Sequence, residues 1–212
     1  MSLFKLLFNR RELDTSSPSA RLERDSSDDD AGPSLAELLR RSTSNDHVHL
    51  VDTGAEAREV AVGLTRKWGQ LHRRGAIGIV STCNSSPHSM GAALNDLAAL
   101  HAAVDSRTVA VVLEPRLNSD VDMAATFTYF QGAAQLCREL KILLILDETR
   151  TGLGRHETLL CEDRYAIRAD IVVLSSVTEG GRLGAAVLAR GTPVAEKRSL
   201  GSVPGNWGTV AA

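Results

Sequence analysis

Residues 141–154 read KILLILDETRTGLG. Ile142 to Leu146 form a short apolar run, which ends in Asp147-Glu148 and then a polar turn carrying Gly152 and Gly154. A run of that length closed by charge predicts a parallel strand buried on both faces. Its C-terminal end would open into the crevice where open α/β sheets place ligands. Asp147 there is either a turn-capping carboxylate or a site residue.

The flanking sequence repeats the pattern. Ala76–Val80, Val109–Leu113, Asp170–Leu174 and Ala185–Leu188 are further short apolar runs. Val109–Leu113 also closes in a carboxylate, Glu114-Pro115. Between the runs lie segments with helical spacing. One extends from Ala57 to about His72 with Val60, Ala61, Leu64 and Trp68 on one stripe. Another covers Asn95–Val104, with Leu97, Leu100 and Val104 inward. A third covers Met123–Leu140, with Phe127, Phe130, Ala134, Cys137 and Leu140 as expected core contacts. Strands alternating with helices predict an α/β fold with a mostly parallel sheet flanked by helices. Ser34 with Glu37 predicts a capped helix over Leu35–Arg41.

The bulk composition narrows the function classes. The chain has 212 residues, enough for a real core, and only 4 % aromatics, so that core is aliphatic. A net charge of −2 gives no nucleic-acid or membrane footprint. Cys83, Cys137 and Cys161 show no paired spacing, which fits reduced thiols in an intracellular, cytoplasmic protein. Residues 1–33 are rich in Ser, Asp and Arg and predict a disordered polar tail, with 34–212 as the folded unit. Residues 1–11 alone have the basic, apolar character of a short targeting helix, which leaves a mitochondrial location as the alternative.

Three local motifs bear on chemistry. His47 and His49 in HVHLV have metal spacing but no third ligand nearby, so they read as outward-facing strand residues. Thr53-Gly54-Ala55 opens a helix and is a fair anion seat, because free N–H groups and the helix dipole converge there. No GxGxxG and no GxxxxGK occurs, so neither a Rossmann fingerprint nor a P-loop is present.

Five segments, taken in order, resemble the class III pyridoxal-phosphate-dependent aminotransferases, with the ornithine aminotransferase branch the nearest in character. They are VDTGAEAREVAVGLTRKWG (51–69), NDLAALHAAVDSRTVAVVLEP (95–115), GAAQLCRELKILLILDETRTGLGR (132–155), RADIVVLSS (168–176) and the terminal SLGSVPGNWGTVAA. The resemblance implies a large domain with a mostly parallel sheet, a small C-terminal domain and a dimer with its active sites at the interface. It implies pyridoxal phosphate as cofactor, with Gly54 and Ala55 at the phosphate and Asp147 on the pyridine nitrogen, where the ion pair keeps the ring an electron sink. Glu114 matches a carboxylate at the edge of the substrate site.

The departures from that pattern are equally specific. The family's Schiff-base lysine lies two residues past an apolar strand, and that position here is Ser176. Lys5, Lys67, Lys141 and Lys197 stand elsewhere in the chain. A hydroxyl forms no imine and does not shuttle the substrate proton. The ring-stacking aromatic is absent from CNSSPHSM, and Arg150 replaces a glutamine that contacts the ring oxygen. Leu117-Asn118-Ser119 replaces a Gln-Gly-Glu, and Val203 replaces a threonine that reaches the partner's phosphate. Met90-Gly91-Ala92 runs almost directly into the next helix, and the sequence stops where the family's small domain, with its substrate-clamping arginine, would begin. The expectation is an inactive aminotransferase-like protein that forms a homodimer or pairs with an active aminotransferase. The competing readings are a live transaminase of ornithine or a related ω-amino acid, a non-covalent pyridoxal phosphate binder, and a truncated product with no function.

Overall fold

A computed structural model describes residues 34–82, 90–115, 126–151, 153, 158–179 and 182–191. The tail at 1–33, Cys83 and most of its loop, Leu117–Ser119, Gly152, Gly154, the Gly180-Gly181 turn, Lys197 and Val203 lie outside the described residues.

Helix α1 (Leu35–Thr43) leads into β1 (His47–Val51), α2 (Gly54–His72), β2 (Gly78–Ser81) and β3 (Met90–Gly91). Then come α3 (Leu97–Ala103), β4 (Thr108–Leu113), α4 (Phe127–Leu140), β5 (Leu143–Glu148), α5 (Cys161–Arg164), β6 (Ile171–Glu179) and β7 (Arg182–Ala189). The strands form one sheet in the order β1-β7-β6-β5-β4-β2-β3. The central pairings β2–β4, β4–β5 and β5–β6, and the edge pairing β2–β3, are parallel. β7 runs antiparallel to both β1 and β6. The mostly parallel α/β sheet expected from sequence is therefore present.

Helix starts follow from side-chain caps. Ser34 accepts from Glu37 N at 3.3 Å, but the Glu37 carboxylate pairs with Arg41, so only half of the capping box forms. Thr53 accepts from Glu56 N at 3.1 Å, and Glu56 reaches back to Asp52 N at 3.2 Å. Thr126 accepts from Tyr129 N at 3.3 Å, so α4 starts four residues later than Met123. Its far end turns through Lys141, whose φ of 52° is left-handed.

The two faces of the sheet sort by strand parity. On one face, Ala57, Val60, Ala61 and Leu64 of α2 pack on Leu143 and Ile145 of β5 and on Ile171 and Val173 of β6. On the other, Phe130, Ala134 and Cys137 of α4 join Leu144, Leu146, Val172 and Leu174. Phe130 stacks on Tyr165 with ring centroids 4.1 Å apart. Two expected core contacts fail. Phe127 and Leu140 are 48 % and 41 % exposed, because they stand in the first and last turns of α4, beyond the reach of the sheet. β6 also continues past Leu174 to Glu179, and the four-residue α5 is too short to leave a helical period in the sequence.

Gly69 marks the closest approach of α2. A Cβ there would lie 2.2 Å from the Ala76 carbonyl oxygen and 2.6 Å from Val109 Cγ1. Six residues earlier on the same helix, Gly63 has open space around it. Gly63→Ala is expected to stabilise the fold by about 1 kcal/mol through helix propensity. Gly69→Ala is expected to destabilise it by about 2 kcal/mol or more, because overpacking against backbone outweighs that gain. Urea midpoints of the two variants check both signs.

Candidate functional site

Strand parity also sets the fate of the two carboxylates ending β5. Asp147 follows Leu143 and Ile145, so it emerges on the α2 face. Glu148 follows Leu144 and Leu146, so it emerges on the α4 face. Both are buried.

On the α2 face, the helix N-terminus lies at the C-terminal edge of the sheet. Gly54 packs closely there: a Cβ would lie 3.2 Å from Ser175 Cβ and 3.4 Å from Thr149 Cγ2, so a side chain would ask these neighbours to shift by a few tenths of an ångström. One turn further along α2, Arg58 Nε donates to Asp147 Oδ2 at 2.6 Å. The same guanidinium bonds the Thr149 hydroxyl. Thr149 donates to Asp147 Oδ1 twice, from its amide at 3.0 Å and its hydroxyl at 2.7 Å. The Ser175 hydroxyl donates to the Thr149 carbonyl, which ties the ends of β5 and β6 together. Gly54, Asp147, Thr149 and Ser175 thus form one contiguous cluster around Arg58. Ala55 is the exposed next residue of the helix N-terminus.

Ser176 stands beside this cluster in an unusual backbone state. The β6–β7 register shifts between Ser175 and Val177, and Ser176 occupies the bulge with φ 59°. Ser175 keeps the α2 face and Val177 joins the core of the α4 face, so the extra residue, Ser176, is exposed. Glu114 follows β4 and is fully buried, with Arg150 Nε 3.6 Å from its Oε1. Arg150 is therefore drawn to Glu114. Of the lysines, Lys67 lies on α2, and Lys141 lies at the N-terminal end of β5, away from Asp147.

On the α4 face, Glu148 accepts from Cys161 N at 2.9 Å. Burial is the main reason its carboxyl is pushed up to about 7, with Glu162 and Asp163 adding to the rise and the Cys161 amide opposing it. Burial also raises Asp170, whose Oδ2 accepts from Leu144 N at 2.8 Å. A carboxyl with a raised folded-state pKa holds its proton longer in the native state than in the unfolded chain. Its contribution is present below the ordinary value of 4.5 and is lost as pH climbs through about 7. For Glu148 this loss amounts to roughly 3 kcal/mol at most. Chemical denaturation between pH 4.5 and 8 is expected to show stability declining with pH, and Glu148→Gln is expected to flatten that decline.

The sequence matches a known family. The class-III aminotransferase profile matches residues 79–209. The chain belongs to the class-III aminotransferases. It is 35 % identical over 180 residues to acetylornithine aminotransferase 2 of Bordetella pertussis, covering 74 % of this chain and 46 % of that protein. It is 31 % identical over 164 residues to the ornithine aminotransferase of Plasmodium falciparum, covering 64 % of this chain and 40 % of the relative. Among solved structures, N-acetylornithine aminotransferase from Stenotrophomonas maltophilia superposes with a TM-score of 0.70 at 31 % identity, over 76 % of this chain and 46 % of that one. The chain spans about half the length of the relatives it matches. The ornithine aminotransferase of Toxoplasma gondii, 26 % identical with a TM-score of 0.69, has PLP at partial occupancy in its active site.

The family implies pyridoxal phosphate, and the cluster fits it poorly. The Asp147 oxygen that Thr149 leaves open is held by a guanidinium, and the bulge beside it carries hydroxyls and no amine. Arg58, Thr149, Ser175 and Glu148 were not singled out from sequence. The i, i+4 spacing of Gly54 and Arg58 was the one available signal, since it sets both on the same face of α2.

Proposed function

We propose that this chain is an ornithine aminotransferase-like protein that has kept the aminotransferase scaffold without its chemistry, and that it acts by binding a partner. The observation that carries this reading is Ser176 at the position where the resemblance puts the Schiff-base lysine. Serine supplies neither the imine nor the proton shuttle. The engagement of Asp147 by Arg58 supports the same reading. The partner proposed is a second copy of this chain or an active full-length aminotransferase, joined through the family's dimer surface. Neither nucleic acid nor membrane is proposed as a partner. The net charge of −2 supports the first exclusion, and no helix among the described residues is long and apolar enough to cross a membrane.

Sedimentation of the labelled chain with purified ornithine aminotransferase tests the pairing. A labelled species at the mass of a mixed dimer is expected. A labelled chain that sediments as a monomer at every ratio would rule the pairing out. A second reading, non-covalent binding of pyridoxal phosphate, draws on Gly54 and Ala55 opening α2 at the sheet's C-terminal edge. A third, an active transaminase of ornithine or a related ω-amino acid, draws on the names of the relatives alone.

A further inference from the structure

We propose that Arg58 is a built-in occupant of the Asp147 carboxylate, a cation supplied by the chain itself at the point where the family's cofactor ring would present its own. This rests on placing the family's cofactor site at these residues, and it holds whether or not the chain pairs with another subunit.

The geometry is that of a two-pronged clamp. Arg58 Nε bonds Asp147 Oδ2 at 2.6 Å, and Nη2 of the same planar group bonds the Thr149 hydroxyl. A guanidinium spanning two acceptors is held in direction as well as in charge. Asp147 Oδ1 is already taken by the amide and hydroxyl of Thr149. Three of the roughly four acceptor positions of a carboxylate are thus filled from within the chain. The Asp147 side chain is 5 % exposed and that of Arg58 is 34 % exposed. The carboxylate is therefore buried beneath its counter-ion, and water reaches the pair from the arginine side.

Two consequences follow. A protonated pyridine nitrogen reaches Asp147 only after the clamp opens, which breaks a charge-assisted bond and brings a second cation beside the guanidinium. Asp147 also keeps a partner without any cofactor, so the buried charge does not require one for the fold. Retention of an aspartate at the cofactor position is then explained by its bond to α2.

Equilibrium dialysis against pyridoxal phosphate, with difference absorption spectra, tests this on the full chain, with thermal melts to establish folding. The proposal predicts that Arg58→Ala binds pyridoxal phosphate at least about ten-fold more tightly than the wild type. It predicts that Arg58→Ala/Asp147→Asn loses that gain, because the gain requires the freed carboxylate. A folded Arg58→Ala that binds no better than wild type would overturn the proposal. A double variant that keeps the gain would also overturn it, by showing that Arg58 blocks space rather than charge. If Arg58→Ala does not melt cooperatively, Arg58→Lys replaces it. Lysine keeps the charge but cannot span both acceptors, so a smaller gain is expected, and none would count against the clamp. A reducible adduct in the wild type would defeat the non-catalytic reading, yet would leave the comparison of these variants intact.

Discussion

Given ornithine, 2-oxoglutarate and pyridoxal phosphate, the purified chain is expected to turn over at least about 10⁴-fold more slowly than an ornithine aminotransferase that carries the lysine. Positioned general acid–base catalysis alone is worth about two to four powers of ten, and covalent attachment of the cofactor is lost in addition. Both roles fall to one residue, and a serine at that position, as proposed for Ser176, fills neither. Ser176→Lys by itself is not expected to restore turnover. The residue lies in a bulge with its side chain exposed, and Arg58 would still hold Asp147. A coupled assay for glutamate formation checks both statements, and turnover by the wild type within two powers of ten of the relative would refute the first.

The largest effect on stability is expected at the buried ion pair that fastens the end of β7. Glu162 is 2 % exposed at its side chain and pairs with Arg190 at 2.9 Å. Its other oxygen accepts from Ala169 N at 3.0 Å, and Arg190 Nη1 donates to the Ala169 carbonyl at 2.6 Å. Together they join α5, the entry to β6 and the exit from β7. Arg190→Ala strands the Glu162 carboxylate in a nearly dry site, which costs about 3–5 kcal/mol. Replacing both partners with apolar residues of similar volume, Arg190→Met with Glu162→Leu, is expected to recover most of that loss, because no unpaired charge remains. Urea titration checks the pair of values. Equal losses in the single and double variants would mean that the bond to Ala169 carries the site.

Local order in this chain follows from the sequence itself, whereas its long-range pairings do not. Ile142 to Leu146 followed by charge was sufficient to predict β5, since a short apolar run between charged ends has few other solutions. The stripe of Ala57, Val60, Ala61 and Leu64 was likewise sufficient to place α2 on the sheet. Phe127 and Leu140 misled because periodicity marks a helix face but not how far the neighbouring sheet extends beneath it. The burial of Glu148 was open to strand parity, which sends Asp147 and Glu148 to opposite faces, but the Cys161 amide that meets Glu148 comes from α5, thirteen residues away in sequence. The Arg58–Asp147 bond spans 89 residues; the i, i+4 spacing from Gly54 puts Arg58 on the right face of α2, but neither local sequence names its partner. The bulge at Ser176 arises from the mismatch between β6 and β7, a property of the pairing and of neither strand alone.

We propose that the aminotransferase scaffold is kept here without a lysine at the cofactor position. The most direct test is the absorption spectrum of the chain with added pyridoxal phosphate, before and after borohydride reduction and desalting. On this reading, a spectrum of free cofactor and no chromophore retained on the protein after desalting are expected. A yellow, borohydride-reducible chromophore that stays with the chain would contradict it, because a lysine of this chain would then be forming the imine.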